Sequence, residues 1–284
     1  LLLSVCHWKF VSEPLALCSS NISGQSPLSP PRNPGLALAA SASQKELLKK
    51  AIGYEALEIP PADMEGLEVL RQRVASHKGD SKWDRVDEDM MRRHFLGRKM
   101  DVDKAYERLE ELVEWQASLF PIETTFIQPE IETGKLLLYG KDKLGHPILY
   151  TFARKHDRRI REVPRCIANV VSTVEQAIAS MKPGIGKMLL IFDCKSLGLA
   201  QVDLAMIREA IYLLERRYPV RTYKIYAVGL PSLMNFLWKF AKQLLDPLSA
   251  SKIQFVDSFA DLRDIIDIDQ FPDNIKSEIL GTSD

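Results

Sequence analysis

Residues 218–256 read YPVRTYKIYAVGLPSLMNFLWKFAKQLLDPLSASKIQFV, and this stretch decides the fold. Thr222 to Val228 is an apolar strand, Pro231 opens a helix from Ser232 to Leu245, and Asp246-Pro247 leads through Ser249, Ser251 and Lys252 into a last strand, Gln254-Phe255-Val256. On the helix Leu233, Phe236, Leu237, Phe240 and Leu244 repeat at helical spacing, while Met234, Trp238, Ala241 and Leu245 widen the stripe. Only Asn235, Lys239, Lys242 and Gln243 are polar, so the apolar surface exceeds the roughly 100° stripe of an ordinary surface helix. Such a helix has two faces to hide. It is either a helix buried in a large core, or a lid whose inner side lines an apolar cavity and whose outer side meets a membrane.

Working outward, Met188 to Phe192 is an uninterrupted apolar run of the kind buried on both faces of a parallel sheet. Leu136 to Tyr139 and Ile148 to Phe152 read as two strands joined by a polar turn with Gly140 and Gly145. Helices are predicted from Pro164 to Met181 and from Asp203 to Arg217, so strand and helix alternate and the fold class is α/β, with parallel βαβ crossovers and flanking helices. Upstream the period is helical. Leu47, Leu48 and Ala51 begin a short helix, Leu67, Leu70 and Val74 mark a second, Asp87 to Gly97 a third, and Asp101 caps a fourth carrying Ala105, Leu109 and Leu112. The expected organisation is a segment 1–43, a helical region 44–120 and an α/β domain 121–284.

The 284 residues, 46% of them hydrophobic, can bury a sizeable core. Lysine plus arginine balances aspartate plus glutamate at 38 each, so the chain as a whole has no electrostatic reason to seek nucleic acid. Cys6, Cys18, Cys166 and Cys194 form no C-x-x-C pair, and no histidine stands at metal-ligand spacing, which predicts inert thiols in a reducing compartment. No run reaches the eighteen or more apolar residues of a spanning helix, so the expected protein is soluble or peripheral. Residues 1–43 are serine-rich, hold Glu13 as their one acid, and contain Pro27, Pro30-Pro31 and Pro34-Gly35. That composition predicts disorder, or a transit segment for plastid import, with a cytoplasmic, peripherally membrane-associated protein as the alternative. The chain starts at Leu1, so it reads as a fragment.

Enzyme signatures are thin. Lys182 to Lys187 is glycine-rich but precedes a strand where a phosphate loop must follow one. No G-x-S-x-G elbow occurs. The acidic run Asp261 to Asp273 lacks calcium-loop spacing and reads as a solvated face, and His146 and His156 read as surface histidines with no nucleophile tied to them. No catalysis and no metal are expected.

In the order of its elements, residues 218–256 resemble the CRAL-TRIO family. Tyr218-Pro219, Arg221, Pro231, Lys242, Leu245-Asp246-Pro247 and Ser251-Lys252-Ile253 stand in the family pattern without a gap. Phe95-Leu96-Gly97-Arg98-Lys99-Met100-Asp101-Val102 echoes, shifted by one residue, a phrase of the family's N-terminal helices, so the likeness runs from about Asp84 to Thr282. The resemblance implies a lipid carrier with a gated apolar pocket and no cofactor beyond the bound lipid. In phosphatidylinositol-binding members the positions matching Arg98, Lys99, Ser249 and Lys252 hold the headgroup phosphate, which arginine, lysine and a hydroxyl suit as charge-assisted donors. Helix capping by Arg98 and Lys99 is the plainer reading of that pair. Phe192, Ile225, Ala227, Phe236, Leu237, Phe240 and Leu244 are the expected pocket and gate residues, with Trp238 and Leu245 on the membrane side. Two departures stand out. Val220 replaces the glutamate expected after Tyr-Pro, removing an acceptor for inositol hydroxyls and favouring phosphatidic acid or an altered phosphoinositide pose. Lys242-Gln243-Leu244-Leu245 lacks the family's proline, so the helix should kink less there. Expected partners are a phospholipid or another hydrophobic lipid and, transiently, a membrane surface, with no nucleic acid. The alternatives are an isoprenoid cargo of the carotenoid or tocopherol kind, or a lipid-sensing regulatory scaffold.

Overall fold

The computed structural model describes residues 57, 59–232, 235–245 and 247–282. The expected segment 1–43 and the helix at Leu47, Leu48 and Ala51 lie outside the described residues. Three helices open the described chain: α1 (Met64–Ala75), α2 (Glu88–Gly97) and α3 (Val102–Leu119). Asp87 and Asp101 start the latter two, their carboxylates accepting from the Met90 and Lys104 backbone N–H at 2.7 and 3.0 Å. Leu67, Leu70, Phe95, Ala105, Leu109 and Leu112 close these helices on a core of their own.

A short helix α4 (Thr124–Glu132) precedes the sheet. Five strands follow in spatial order: β1 (Leu136–Lys141), β2 (Pro147–Phe152), β3 (Met188–Asp193), β4 (Thr222–Val228) and β5 (Ile253–Val256). β1 pairs antiparallel with β2, and the remaining pairs are parallel. The crossovers are α5 (Val163–Ala179), α6 (Leu204–Tyr212) with a π turn through Arg217, and α7 (Asn235–Leu244) with α8 (Pro247–Ser251). The last helix is α9 (Asp273–Leu280).

The two faces of the sheet are covered differently. Ile148, Tyr150, Leu189, Ile191, Tyr226 and Val228 point toward the C-terminal segment and pack on Phe259, Leu262, Ile266, Phe271 and Ile275. This corrects the expectation of a solvated face over 261–273. The acids there do face water, but 3-10 turns at Phe259–Leu262 and Ile268–Gln270 break the helical period and set the apolar residues inward. On the other face Leu149, Met188 and Leu190 pack against Val171, Val174 and Ala177 of α5.

Both histidines expected at the surface are engaged. His146 is wholly buried: its Nδ1 lies 2.7 Å from Asp142 Oδ2, and its ring stacks on Tyr223 at 4.1 Å. The same aspartate accepts the Leu144 and His146 backbone N–H, so the pair builds the β1–β2 turn. His156 Nε2 meets Asp203 Oδ2 at 3.1 Å. Asp203 also holds Arg161 and caps α6 through the Met206 N–H.

Candidate functional site

Parallel registry sets the floor of the site. Phe192 pairs with Ala227 and Ala227 with Phe255, while Leu190 pairs with Ile225 and Ile225 with Ile253, so these side chains share the α5 side of the sheet. α5 covers β1 and β2. Beyond its reach the same face changes character: Phe192, Ile225 and Ile253 are half-buried, and Phe255 is 47% exposed. Over β4 and β5 the apolar strip is therefore only partly covered, with Ala227 buried within it.

α7 stands against this strip. The Trp238 ring meets the edge of Phe255 with centroids 5.4 Å apart, and Leu237 packs on Leu197 and Val202, as do Ala153 and Leu230. Leu237, Trp238, Phe240, Ala241, Leu244 and Leu245 are each half-buried, whereas Phe236, Lys239, Lys242 and Gln243 are exposed. Trp238 was expected outside and Phe236 inside; in the structure Trp238 leans on the sheet, and Phe236 stands with the lysines. Because the apolar stripe wraps most of the helix, its own spacing does not select the inner side, and Phe255 does. Leu245 follows α7 and is half-buried. Leu233 and Met234 lie outside the described residues.

The four residues expected to hold a phosphate come from two parts of the chain: Arg98 and Lys99 follow α2 beside the turn into β4, and Ser249 and Lys252 lead into β5. Arg98 is the C-cap of α2, and Lys99 and Met100 follow at φ 54° and 62°, a left-handed turn without glycine. Burial, with Arg108 and Arg216 nearby, lowers the pKa of Arg98. Lys99 is exposed. Gly97 is pressed on Pro219, where an added Cβ would come within 2.9 Å of the proline ring, and Arg93 Nη1 donates to the Val220 carbonyl at 2.9 Å. Val220 itself has φ 60°. From the other side, the Lys252 carbonyl accepts the Ile225 N–H at 3.0 Å, and the Lys252 N–H donates to the Ser249 carbonyl. Ser249 and Lys252 are half-buried and engaged.

Several participants escaped the sequence reading. Ile253 and Phe255 carry only a two-residue alternation, and nothing local says that β5 lies beside β4. Arg221, legible only as a position of the family pattern, is half-buried with its pKa lowered by desolvation and by Arg93, and it ties the approach to β4 to Asp89 of α2 and to the Gly186 carbonyl at 3.1 Å. Such long-range ion pairs leave no spacing to find. Cys166 and Cys194 are buried, and desolvation raises both thiols, Cys194 to about 12, so neither is a ready nucleophile. Among the described residues no helix is long and apolar enough to cross a membrane.

A mixed sheet, covered on one side by its C-terminal segment and on the other split between a fixed helix and a partly covered apolar strip under α7, defines an α/β binding fold. The chain belongs to the CRAL/TRIO family: residues 131–276 match the CRAL/TRIO domain. A CRAL-TRIO domain-containing protein of Schizosaccharomyces pombe, C3H8.02, is 26% identical over 217 residues, 70% of this chain and 47% of that protein. The phosphatidylinositol transfer protein CSR1 of Eremothecium gossypii is 26% identical over 268 residues, 82% of this chain and 62% of that protein. The chain thus spans about half to three-fifths of the length of these two relatives. The crystal structure of Sfh5 superposes with a TM-score of 0.57 over 73% of this chain and 84% of that one, at 11% identity, a likeness of fold alone.

Proposed function

We propose that this chain binds one lipid and carries it between membranes, the acyl chains lying between α7 and the strip formed by Phe192, Ile225, Ala227 and Phe255. The observation that supports this reading most is the pair of facing apolar surfaces, each left half-covered by protein. Hiding an acyl chain of about fifteen methylenes from water is worth on the order of 12 kcal/mol at ~0.8 kcal/mol per CH₂, so a carrier needs such a surface and a cover that opens. The cargo is an anionic phospholipid, a phosphoinositide or phosphatidic acid, with Arg98, Lys99, Ser249 and Lys252 around its phosphate. A relative named as a phosphatidylinositol transfer protein supports that class of cargo. Val220 favours the simpler headgroup. Nothing in the reading asks for catalysis.

Extraction of the purified protein and mass spectrometry of the bound lipid tests it. One phospholipid per chain is expected; recovery of an isoprenoid, or of no lipid after loading from mixed vesicles, overturns it.

A further inference from the structure

Between α2, α3, α5 and the turn into β4 lies a cleft of about 230 Å³ with charged walls that shares no lining residue with the apolar strip or the expected headgroup set. Its wall carries four guanidiniums, Arg85, Arg93, Arg217 and Arg221, against two carboxylates, Asp87 and Glu175. Both carboxylates are engaged: Asp87 caps α2, and Glu175 accepts from the Tyr218 hydroxyl at 2.7 Å and from Arg85 at 3.4 Å. Asp89, behind the wall, takes the fork of Arg93 at 2.8 and 2.9 Å and also Arg221. Counting it too leaves one positive charge in excess.

Three polar atoms of its lining residues are left over. His94 Nε2, Gln116 Oε1 and Arg217 Nε are buried without a hydrogen-bond partner, and His94 and Gln116 are each only 2% exposed. One unpaired buried polar atom costs about 1–3 kcal/mol, so three on one cavity describe a wall that a guest completes. An apolar guest would leave all three unpaired. A cation would meet the excess of arginine. A tetrahedral oxyanion answers the Arg217 N–H, an imidazole N–H of His94 and the Gln116 amide, whose oxygen and nitrogen exchange places by a simple flip.

We propose that the cleft is a phosphoryl-binding site, occupied by phosphate itself or by the headgroup phosphate of a membrane lipid other than the one carried. Water has a share of about 30 Å³ each, so the volume suits a phosphate with a few waters, or a small phosphate ester. The groups facing His94 agree: burial together with Arg98, Arg217 and Arg108 holds its pKa down at about 3, and a bound anion relieves that repulsion.

The test titrates the full chain with inorganic phosphate, with chloride at matched ionic strength, and with vesicles of phosphatidic acid in phosphatidylcholine, following melting temperature and the ³¹P resonance. Saturable stabilisation by phosphate, weakened at least about tenfold in His94→Leu and retained in part by His94→Gln, supports a free-anion site. Stabilisation by the phosphatidic acid vesicles alone, lost in the same variant, supports a headgroup site. Gln116→Leu, which removes one orphaned amide, should raise the melting temperature in chloride and abolish the increment from phosphate. If His94→Leu does not fold, the imidazole proton resonance of His94 in the unaltered protein decides: phosphate or phosphatidic acid must shift it and raise its pKa. Equal behaviour in phosphate and chloride, with a vesicle response unchanged by the variants, means that the cleft holds water only, and the proposal falls.

Discussion

The indole of Trp238 on α7 meets the ring of Phe255 on β5 at 72° and 5.4 Å, so the helix that covers the apolar strip is held to it by an aromatic edge contact at the margin of the sheet. Pairs of this geometry contribute about 0.5–1.5 kcal/mol beyond their buried area. Phe255→Ala should therefore loosen the cover more than it harms the fold, since Phe255 is half-exposed. Faster lipid exchange by about two- to tenfold is expected, measured by dequenching of a fluorescent phospholipid, with little change in melting temperature. Slower or unchanged exchange would show that the contact does not hold the helix.

Phe236 stands in an exposed strip with Lys239 and Lys242. If that strip touches the bilayer during exchange, Phe236→Asp should lower transfer between vesicles while melting changes by less than about 0.5 kcal/mol, as for an ordinary surface position. Trp238→Asp should differ by placing a charge against the Phe255 ring, costing stability as well as transfer. Equal transfer by Phe236→Asp and the unaltered chain would remove α7 from the membrane contact.

Lys99→Ala combined with Lys252→Ala removes two of the four groups assigned to the lipid phosphate. Binding to vesicles containing phosphatidic acid should fall and lose part of its salt dependence, while binding to phosphatidylcholine alone stays as it was. Undiminished affinity at equal thermal stability would assign the phosphate to other residues.

Gly97 has ordinary helical neighbours on α2, and its constraint comes from Pro219. Gly97→Ala pushes a methyl against the proline ring, so the chain must separate α2 from the turn into β4. A loss of about 1–3 kcal/mol is expected in denaturant unfolding, the usual cost of overpacking, although alanine is the better helix former. A stabilised variant would mean that the turn yields freely.

The strands β3 and β4 were legible because Met188 to Phe192 and Thr222 to Val228 are continuous apolar runs, and α2 and α3 because Asp87 and Asp101 sit one residue before them. What α7 turns inward was not legible. Its stripe satisfies more than one orientation, and the choice rests with β5, whose position beside β4 no local signal records. The burial of His146 escaped for the same reason: Asp142 lies within the turn, but Tyr223 comes from a distant strand. Leu262, Ile266 and Phe271 were hidden among acids because short 3-10 turns follow neither the helical nor the strand period.

His94 offers a pH test with a definite sign. Its pKa is held at about 3 in the fold against 6.5 in the unfolded chain, by burial first and by Arg98, Arg217 and Arg108. The unfolded state then binds the extra proton, so this residue costs nothing above pH 6.5, and stability falls as pH drops below 6.5 toward 3. The slope reaches about 1.4 kcal/mol per pH unit at most. Carboxylates such as Glu88, lowered from 4.5 to about 2 by hydrogen bonds to Arg71, lose their own contribution only as pH falls below the ordinary carboxylate range. The window from about pH 6.5 to about 4.5 therefore isolates histidine from those ion pairs. Urea unfolding across it should show a slope in the unaltered chain that is much reduced in His94→Gln, and a steeper loss shared by both below pH 4.5. Identical slopes in that upper window would mean that His94 gains its proton in the fold as readily as in the unfolded chain.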